Sequence, residues 1–341
     1  MAISFAGSKK YKKHNGLKAG LKIKKPIPSR EHFYKLDGLK PVVDVGDMVL
    51  CGQKIADIDL FEKNPVICGC SGYVKRVTAD FIEIENDMLG MRMPHSKPTA
   101  DYDELTSREI YWLLREGGVF EARYLVPLHV LLSEKRVRDC IIVCCFDSDP
   151  YVSSPQAAAY GNAAEIKKAL EICMRLSGIT TAYVAVENDT KKTFADFKAL
   201  LRYNETITPY LLKARYPQSE EKTLIKTVTG RESTNALILS PETLVNMTNV
   251  LETGAPVTKK IVTVSGDDIL EPENFAVPIG ATASSVIESG GYGIQDTLIY
   301  GGVIDGELIT DFDTAVSPDT KAFLAFHDKR NIPPYRNQKL V

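Results

Sequence analysis

Few residues in this sequence have types and spacings suited to chemistry. Cys68-Gly69-Cys70 places two thiols one residue apart, too close for the usual zinc or iron–sulfur spacing. Cys144 and Cys145 fall inside the apolar run 140–146 and read as buried thiols, so no metal site is expected. The five histidines (His14, His32, His95, His129, His327) are scattered, and His129 sits in an apolar helix-like stretch with a structural role. No general acid–base pair stands out. Asp147 and Asp149 follow the apolar run directly. If that run is a parallel strand, they stand where α/β folds place their ligands; helix-capping turn residues are the other reading.

The elements that must position these groups are read from periodicity and turn residues. From 36 to 95, short strand-like runs are broken at Gly46-Asp47, Gly52-Gln53 and Ser71-Gly72, which suits a small β-sandwich. Thr106-Ser-Arg-Glu109 is a capping box, and Gly117-Gly118 ends the helix that it opens. Strands over 140–146, 181–187 and 208–213 then alternate with helices over 155–177, 191–202 and 219–230, followed by a helix over 241–251. That alternation predicts a Rossmann-like α/β domain with a largely parallel sheet over 104–254. Short strands over 260–265, 274–278 and 297–300 predict a small β domain over 255–317. The tail, 318–341, is expected to be partly helical and then basic and proline-rich.

With 341 residues, 44% hydrophobic and 25% charged, the chain has room for two or three cores. Its longest apolar run, 141–146, is far too short to cross a bilayer. No apolar leader is visible, so a cytoplasmic protein is expected, peripheral on the cytoplasmic membrane through partners. Residues 1–30 carry eight lysines and one arginine and no acid, which predicts a basic, solvated arm over 1–35. The apolar residues Leu17, Leu21, Ile23 and Ile27 interrupt that arm and argue against a nucleic-acid tail.

Three stretches, 42–56 (VVDVGDMVLCGQKIA), 216–232 (YPQSEEKTLIKTVTGRE) and 261–281 (IVTVSGDDILEPENFAVPIGA), resemble the RnfC-type electron transport subunit. The first, followed by Ser71-Gly72-Tyr73-Val74, is similar to the barrel-sandwich module of biotinyl and lipoyl domains, without a lysine at the hairpin tip to bear a cofactor. The last resembles the β-grasp module that binds soluble ligands (SLBB). The implied fold is a multidomain α/β protein: barrel-sandwich module, Rossmann-like domain, small β-grasp domain. The α/β part is also similar to the flavoprotein subunit of respiratory complex I.

The resemblance implies FMN and NADH as cofactors and electron transfer as the activity, and it nominates a site. Gly117, Gly118 and Arg123 fall where the family has a glycine-rich phosphate loop, and Glu121 puts a carboxylate there; a helix C-cap explains the two glycines equally well. Asp147 and Asp149 keep the acidic pair of the family's N-G-A-E-C-E-P-Y stretch, with Cys144 in place of asparagine. Ser219, Glu220 and Glu221 match a Y-P-x-G-x-E stretch, with Ser219 in place of glycine and fitted to cap a helix. Ser240, Glu242 and Thr243 match N-V-E-T-L-x-N, with Ser240 in place of asparagine. No Cys-x-x-Cys-x-x-Cys run is present, so no iron–sulfur cluster is expected in this chain. The expected partners are other subunits of an electron-transfer complex, an iron–sulfur protein among them, with no nucleic acid. A cofactor-free docking or assembly subunit is the alternative.

Overall fold

A computed structural model describes residues 3, 9–10, 21–96, 104–232, 234–292 and 297–334. About half of the expected basic arm, and the tail from 335, lie outside the described residues.

The N-terminal module is built from two small sheets. One runs Glu31–Lys35, Phe81–Asn86, Gly72–Val77, Met48–Val49; the other Lys40–Pro41, Lys54–Asp57, Val66–Ile67. Alternation puts His32 and Tyr34 inside while Glu31 and Lys35 face out. Tyr34, Leu36, Val49, Ile55, Val74, Ile82 and Ile84 form its core. Gly46 and Gly52 take φ of +95° and +92° at the turns expected from the sequence, a region that penalises a Cβ.

In the central domain four parallel strands stand in the order Ile207–Leu212, Ala182–Glu187, Cys140–Cys144, Ala236–Leu239. The strand Cys140–Cys144 is buried along its whole length, as a strand covered on both faces must be. Ile141 and Val143 pack with the helices Ser107–Glu116, Ala163–Ser177, Lys191–Leu200 and Pro241–Thr253. Cys140, Ile142 and Cys144 face Leu224, Ile225 and Val228 of the helix Glu221–Thr229. The capping box forms as read: Thr106 Oγ1 accepts the Glu109 amide, and Glu109 accepts the Thr106 amide at 2.8 Å. The helix expected over 155–177 is two helices, Ser154–Ala159 and Ala163–Ser177, because Gly161 turns the chain with φ +79°.

The third core lies on both faces of a six-stranded mixed sheet, ordered Ile23–Lys24, Glu273–Pro278, Lys259–Ser265, Ala322–Phe326, Thr297–Tyr300, Glu307–Ile309. Two findings differ from expectation. Residues Ile23–Lys24 and Glu31–Lys35, placed in the basic arm, are strands. The tail expected to be partly helical supplies Ala322–Phe326, a fully buried strand between two neighbours, followed among the described residues by a short 3-10 turn, Lys329–Asn331. Five consecutive apolar residues bury both faces of a strand and leave no alternation to read.

The modules are fastened by polar contacts at their seams. Arg115, 2% exposed, donates to Asp57 (2.7 Å), Glu116 (2.6 Å) and the Ile58 carbonyl (2.6 Å), so the first helix of the α/β domain is pinned to the sandwich. His129 adds a contact of 2.5 Å from Nε2 to the Phe61 carbonyl, the structural role expected of it.

Candidate functional site

Chain order across the parallel sheet is 3-2-1-4, so the connection direction reverses between Cys140–Cys144 and Ala236–Leu239. The crevice outside the carboxyl ends of those two strands is where such sheets bind ligands. Residues 145–149 leave one strand there. Ser240 leaves the other as N-cap of the helix Pro241–Thr253, whose amide end attracts anions.

That helix end is occupied from within. Glu121, in the short hairpin Phe120–Glu121 with Val126–Pro127, is completely buried. Its Oε2 accepts the Ser240 amide at 2.8 Å, and its Oε1 accepts the Ser240 hydroxyl at 2.6 Å and the Arg123 amide at 3.0 Å. Ser240 holds the N-cap position but makes no side-chain cap, since its hydroxyl is committed to Glu121.

The other nominated residues divide into three groups. Arg123, Asp147 and Ser219 converge above the first strand: Arg123 Nη1 donates to the Ser219 carbonyl at 3.2 Å, and Arg123 acts electrostatically on Asp147. Ser148 and Ser219 clasp each other, amide to hydroxyl, at 3.0 and 2.7 Å. Ser219 therefore does not cap the helix Glu221–Thr229. Glu220 holds the N-cap position, with Glu221 in the first turn, and both are exposed. Burial alone would raise the Asp147 carboxyl, but Lys321 at 3.4 Å, the Asp149 amide and Arg123 hold it below the ordinary carboxylate value.

Asp149 turns away from this group. Its two oxygens accept the Tyr151 amide (2.9 Å) and the Ile304 amide (3.1 Å), tying the α/β domain to the C-terminal sheet. Glu242 makes a second tie, accepting Lys260 Nζ at 2.6 Å and the Ile261 amide at 2.7 Å. Thr243 donates to the Phe120 carbonyl at 3.0 Å.

Gly117 and Gly118 behave as a helix end. Gly117 donates to the Leu113 carbonyl, and Gly118 has φ +68°. A Cβ on Gly117 would lie 2.5 Å from Val250 Cγ1, and one on Gly118 2.8 Å from Ile67 Cδ1. Between Gly118, Phe120, Glu242, Thr243 and Lys260 remains a crevice of about 10 Å³, space for at most one water. A larger, open concavity of about 1010 Å³ lies elsewhere, along Phe61, Leu105, Tyr111 and Trp112, and shares no group with the switch point. Among the described residues no three His, Cys, Asp or Glu side chains are placed to hold a metal ion, and the seven cysteines are buried and free.

Sequence reasoning missed Lys321, Ser148 and Lys260. Lys321 borders the strand Ala322–Phe326, and the apolar run AFLAF was the signal that would have placed it.

Comparison with known proteins matches the scaffold. Residues 9–91 match the RnfC barrel sandwich hybrid domain, and 118–259 match the Nuo51 FMN-binding domain. A subunit of the proton-translocating ferredoxin:NAD(+) oxidoreductase complex of Clostridium ljungdahlii is 26% identical, over 93% of this chain and 74% of its own length. Its counterpart in the Na(+)-translocating ferredoxin:NAD(+) oxidoreductase complex of Acetobacterium woodii is 26% identical, over 80% of this chain and 67% of its own. An NAD+-reducing NiFe-hydrogenase in the air-oxidized state shares the fold with a TM-score of 0.52 and 15% identity, over 71% of this chain and 53% of that one.

The residues present do not fit an FMN phosphate in this arrangement. A unit charge placed about 4 Å from the Glu121 carboxylate would be opposed by roughly 4 kcal/mol at an effective dielectric near 20. The crevice beside it holds no ring system. The scaffold nonetheless matches in both modules: a barrel-sandwich module followed in one chain by an FMN-binding-type domain. In that tandem arrangement the chain is similar to the RnfC-type subunits, and its α/β domain to the FMN-binding domain of Nuo51.

Proposed function

We propose that this chain is an RnfC-like subunit of an electron-transfer complex of the ferredoxin:NAD type, with a degenerate flavin site. One observation carries the reading: the RnfC sandwich and the FMN-binding-type domain occur in RnfC order, docked on a third sheet. The domain limits are taken as 36–95, 104–254 and 255–317, the last extended by the strand Ala322–Phe326. That third unit is assigned as the β-grasp, SLBB-like module. The hairpin Lys259–Ser265 with Glu273–Pro278, the helix Ala283–Ser289 and the parallel pairing of Lys259–Ser265 with Ala322–Phe326 support the assignment.

The partners in this reading are the other subunits of the complex, an iron–sulfur protein among them, and membrane contact runs through those partners. No described helix is long and apolar enough to cross a membrane. In this reading the chain alone does not oxidise NADH: Arg123 donates to the Ser219 carbonyl, Asp147 accepts the Asp149 amide, and Ser219 is clasped to Ser148. Affinity purification of the tagged chain from its native membranes in mild detergent tests the proposal. Stoichiometric recovery of iron–sulfur subunits, with ferredoxin-dependent NAD reduction in the eluate, is the expected result. Recovery without any redox-active partner would sink it.

A further inference from the structure

We infer that Glu121 is an internal anion that fills the phosphate seat of the α/β domain and excludes phosphate-bearing ligands such as FMN. The inference rests on the domain being a degenerate FMN-binding type, and it names what closes the site.

Three donors converge on one carboxylate at the switch point: the Ser240 amide, the Ser240 hydroxyl and the Arg123 amide, at 2.6–3.0 Å. Two of the donors, an amide and a hydroxyl, come from the N-cap residue of a 13-residue helix that follows a parallel strand, a helix end of the kind that draws phosphates, and the third is the Arg123 amide in the hairpin. Here the same donors are saturated by a side chain of the chain itself. The carboxylate reaches them because the helix Ser107–Glu116 stops at Gly117 and the chain enters the hairpin Phe120–Glu121 at once. Thr243 fixes the hairpin by donating to the Phe120 carbonyl, so the hairpin is held to this helix at Ser240 and at Thr243. The Arg123 guanidinium lies exposed just outside, bonded to the Ser219 carbonyl. Removing the carboxylate alone would thus free three donors and leave an arginine at the entrance.

The test is titration of the purified full chain and of two variants with FMN, riboflavin and inorganic phosphate, followed by flavin fluorescence and thermal melting. The parent is expected to show no saturable FMN binding and no phosphate-dependent rise in melting temperature. Glu121→Ala is expected to bind FMN at least about tenfold more tightly than the parent, and to be stabilised by phosphate. Riboflavin, which lacks the phosphate, is expected to gain nothing. Should Glu121→Ala fold poorly, phosphate or acetate supplied in solution is expected to restore its melting transition by replacing the missing anion. Glu121→Gln keeps the shape without the charge and is expected to fall between parent and Glu121→Ala.

Saturable one-to-one FMN binding by the parent would overturn the inference. So would a folded Glu121→Ala that responds to neither FMN nor phosphate, or an equal gain for riboflavin. Failure here is separable from failure of the proposed function. A parent that binds FMN inside an intact redox complex refutes the seat-filling role alone. A Glu121→Ala gain without any redox partner refutes the functional reading alone.

Discussion

At the scale of single residues, two buried groups should shape acid stability in opposite directions. Burial pushes the Asp149 carboxyl from 3.8 up to about 7; Lys321 opposes the rise and Asp147 adds to it. The native state therefore holds the extra proton between about pH 4 and 7, and this contribution is lost as pH rises through the upper value. Burial lowers His32 from 6.5 to about 4, against backbone hydrogen bonds at Ile279 and Ser29. Here the unfolded state holds the extra proton, so the contribution is present above 6.5 and is lost as pH falls. Each slope is about 1.4 kcal/mol per pH unit, and the two nearly cancel between about pH 4 and 6.5. Asp147, held low by Lys321 and Arg123, titrates below that window. His32→Gln is expected to unmask a stability that falls with rising pH, and Asp149→Asn one that rises. Urea unfolding at about pH 4.5 and 6.5 checks both signs. A variant whose curve parallels the parent's would show that its residue does not titrate as described.

At the scale of elements, the helix Pro241–Thr253 does more than cover the sheet. Its first turn receives Glu121 on one side and sends Glu242 to Lys260 and the Ile261 amide on the other. Glu242→Ala strands a mostly buried lysine and an amide, which is expected to cost about 3 kcal/mol in chemical denaturation. Glu242→Gln, which can still accept from Ile261, is expected to lose about half as much. Equal losses would mean that the Lys260 pair contributes nothing. The same helix shows how far the sequence could be read. Its start at Ser240-Pro241 and its stop at Gly254, which takes φ +71°, were legible, because caps are written in single residues. The strand Ala236–Leu239 before it was not, since four apolar residues carry no period. Without that strand the 3-2-1-4 order, and with it the switch point, could not be drawn. The carboxylate at 121 was visible as out of place in a phosphate loop, but its partner Ser240 is 119 residues away. Ser219 misled for the same reason: a good capping type was already engaged by Ser148, which only the fold brings near.

At the scale of the whole molecule, the N-terminal sandwich and the C-terminal sheet are joined by backbone meeting backbone. The Phe33 amide donates to the Gly280 carbonyl at 2.9 Å, His32 pairs with Ala281 across the seam, and Ile23–Lys24 runs parallel to Glu273–Pro278 as an edge strand. Such an approach needs residues without side chains at the points of contact. A Cβ on Gly69 would lie 2.3 Å from the Ile279 carbonyl oxygen, and one on Gly280, already at φ +92°, 2.6 Å from the Tyr34 ring. Neither neighbour is the loose end of a flexible chain, so relief requires the two units to part. Gly69→Ala is expected to cost about 1–3 kcal/mol, the range for overpacking a rigid contact. The loss should appear as faster amide hydrogen exchange at residues 31–35 and 278–282, with Ile141–Val143 in the parallel sheet unchanged. Gly161→Ala is the matched control: its φ of +79° resists a side chain, but nothing lies within 4 Å of the added Cβ. Its effect should therefore stay at the break between the helices Ser154–Ala159 and Ala163–Ser177. Should Gly69→Ala speed exchange throughout the α/β sheet, the sandwich and the C-terminal sheet would have to unfold with it as one cooperative unit. Should it change exchange nowhere, the seam does not depend on that contact.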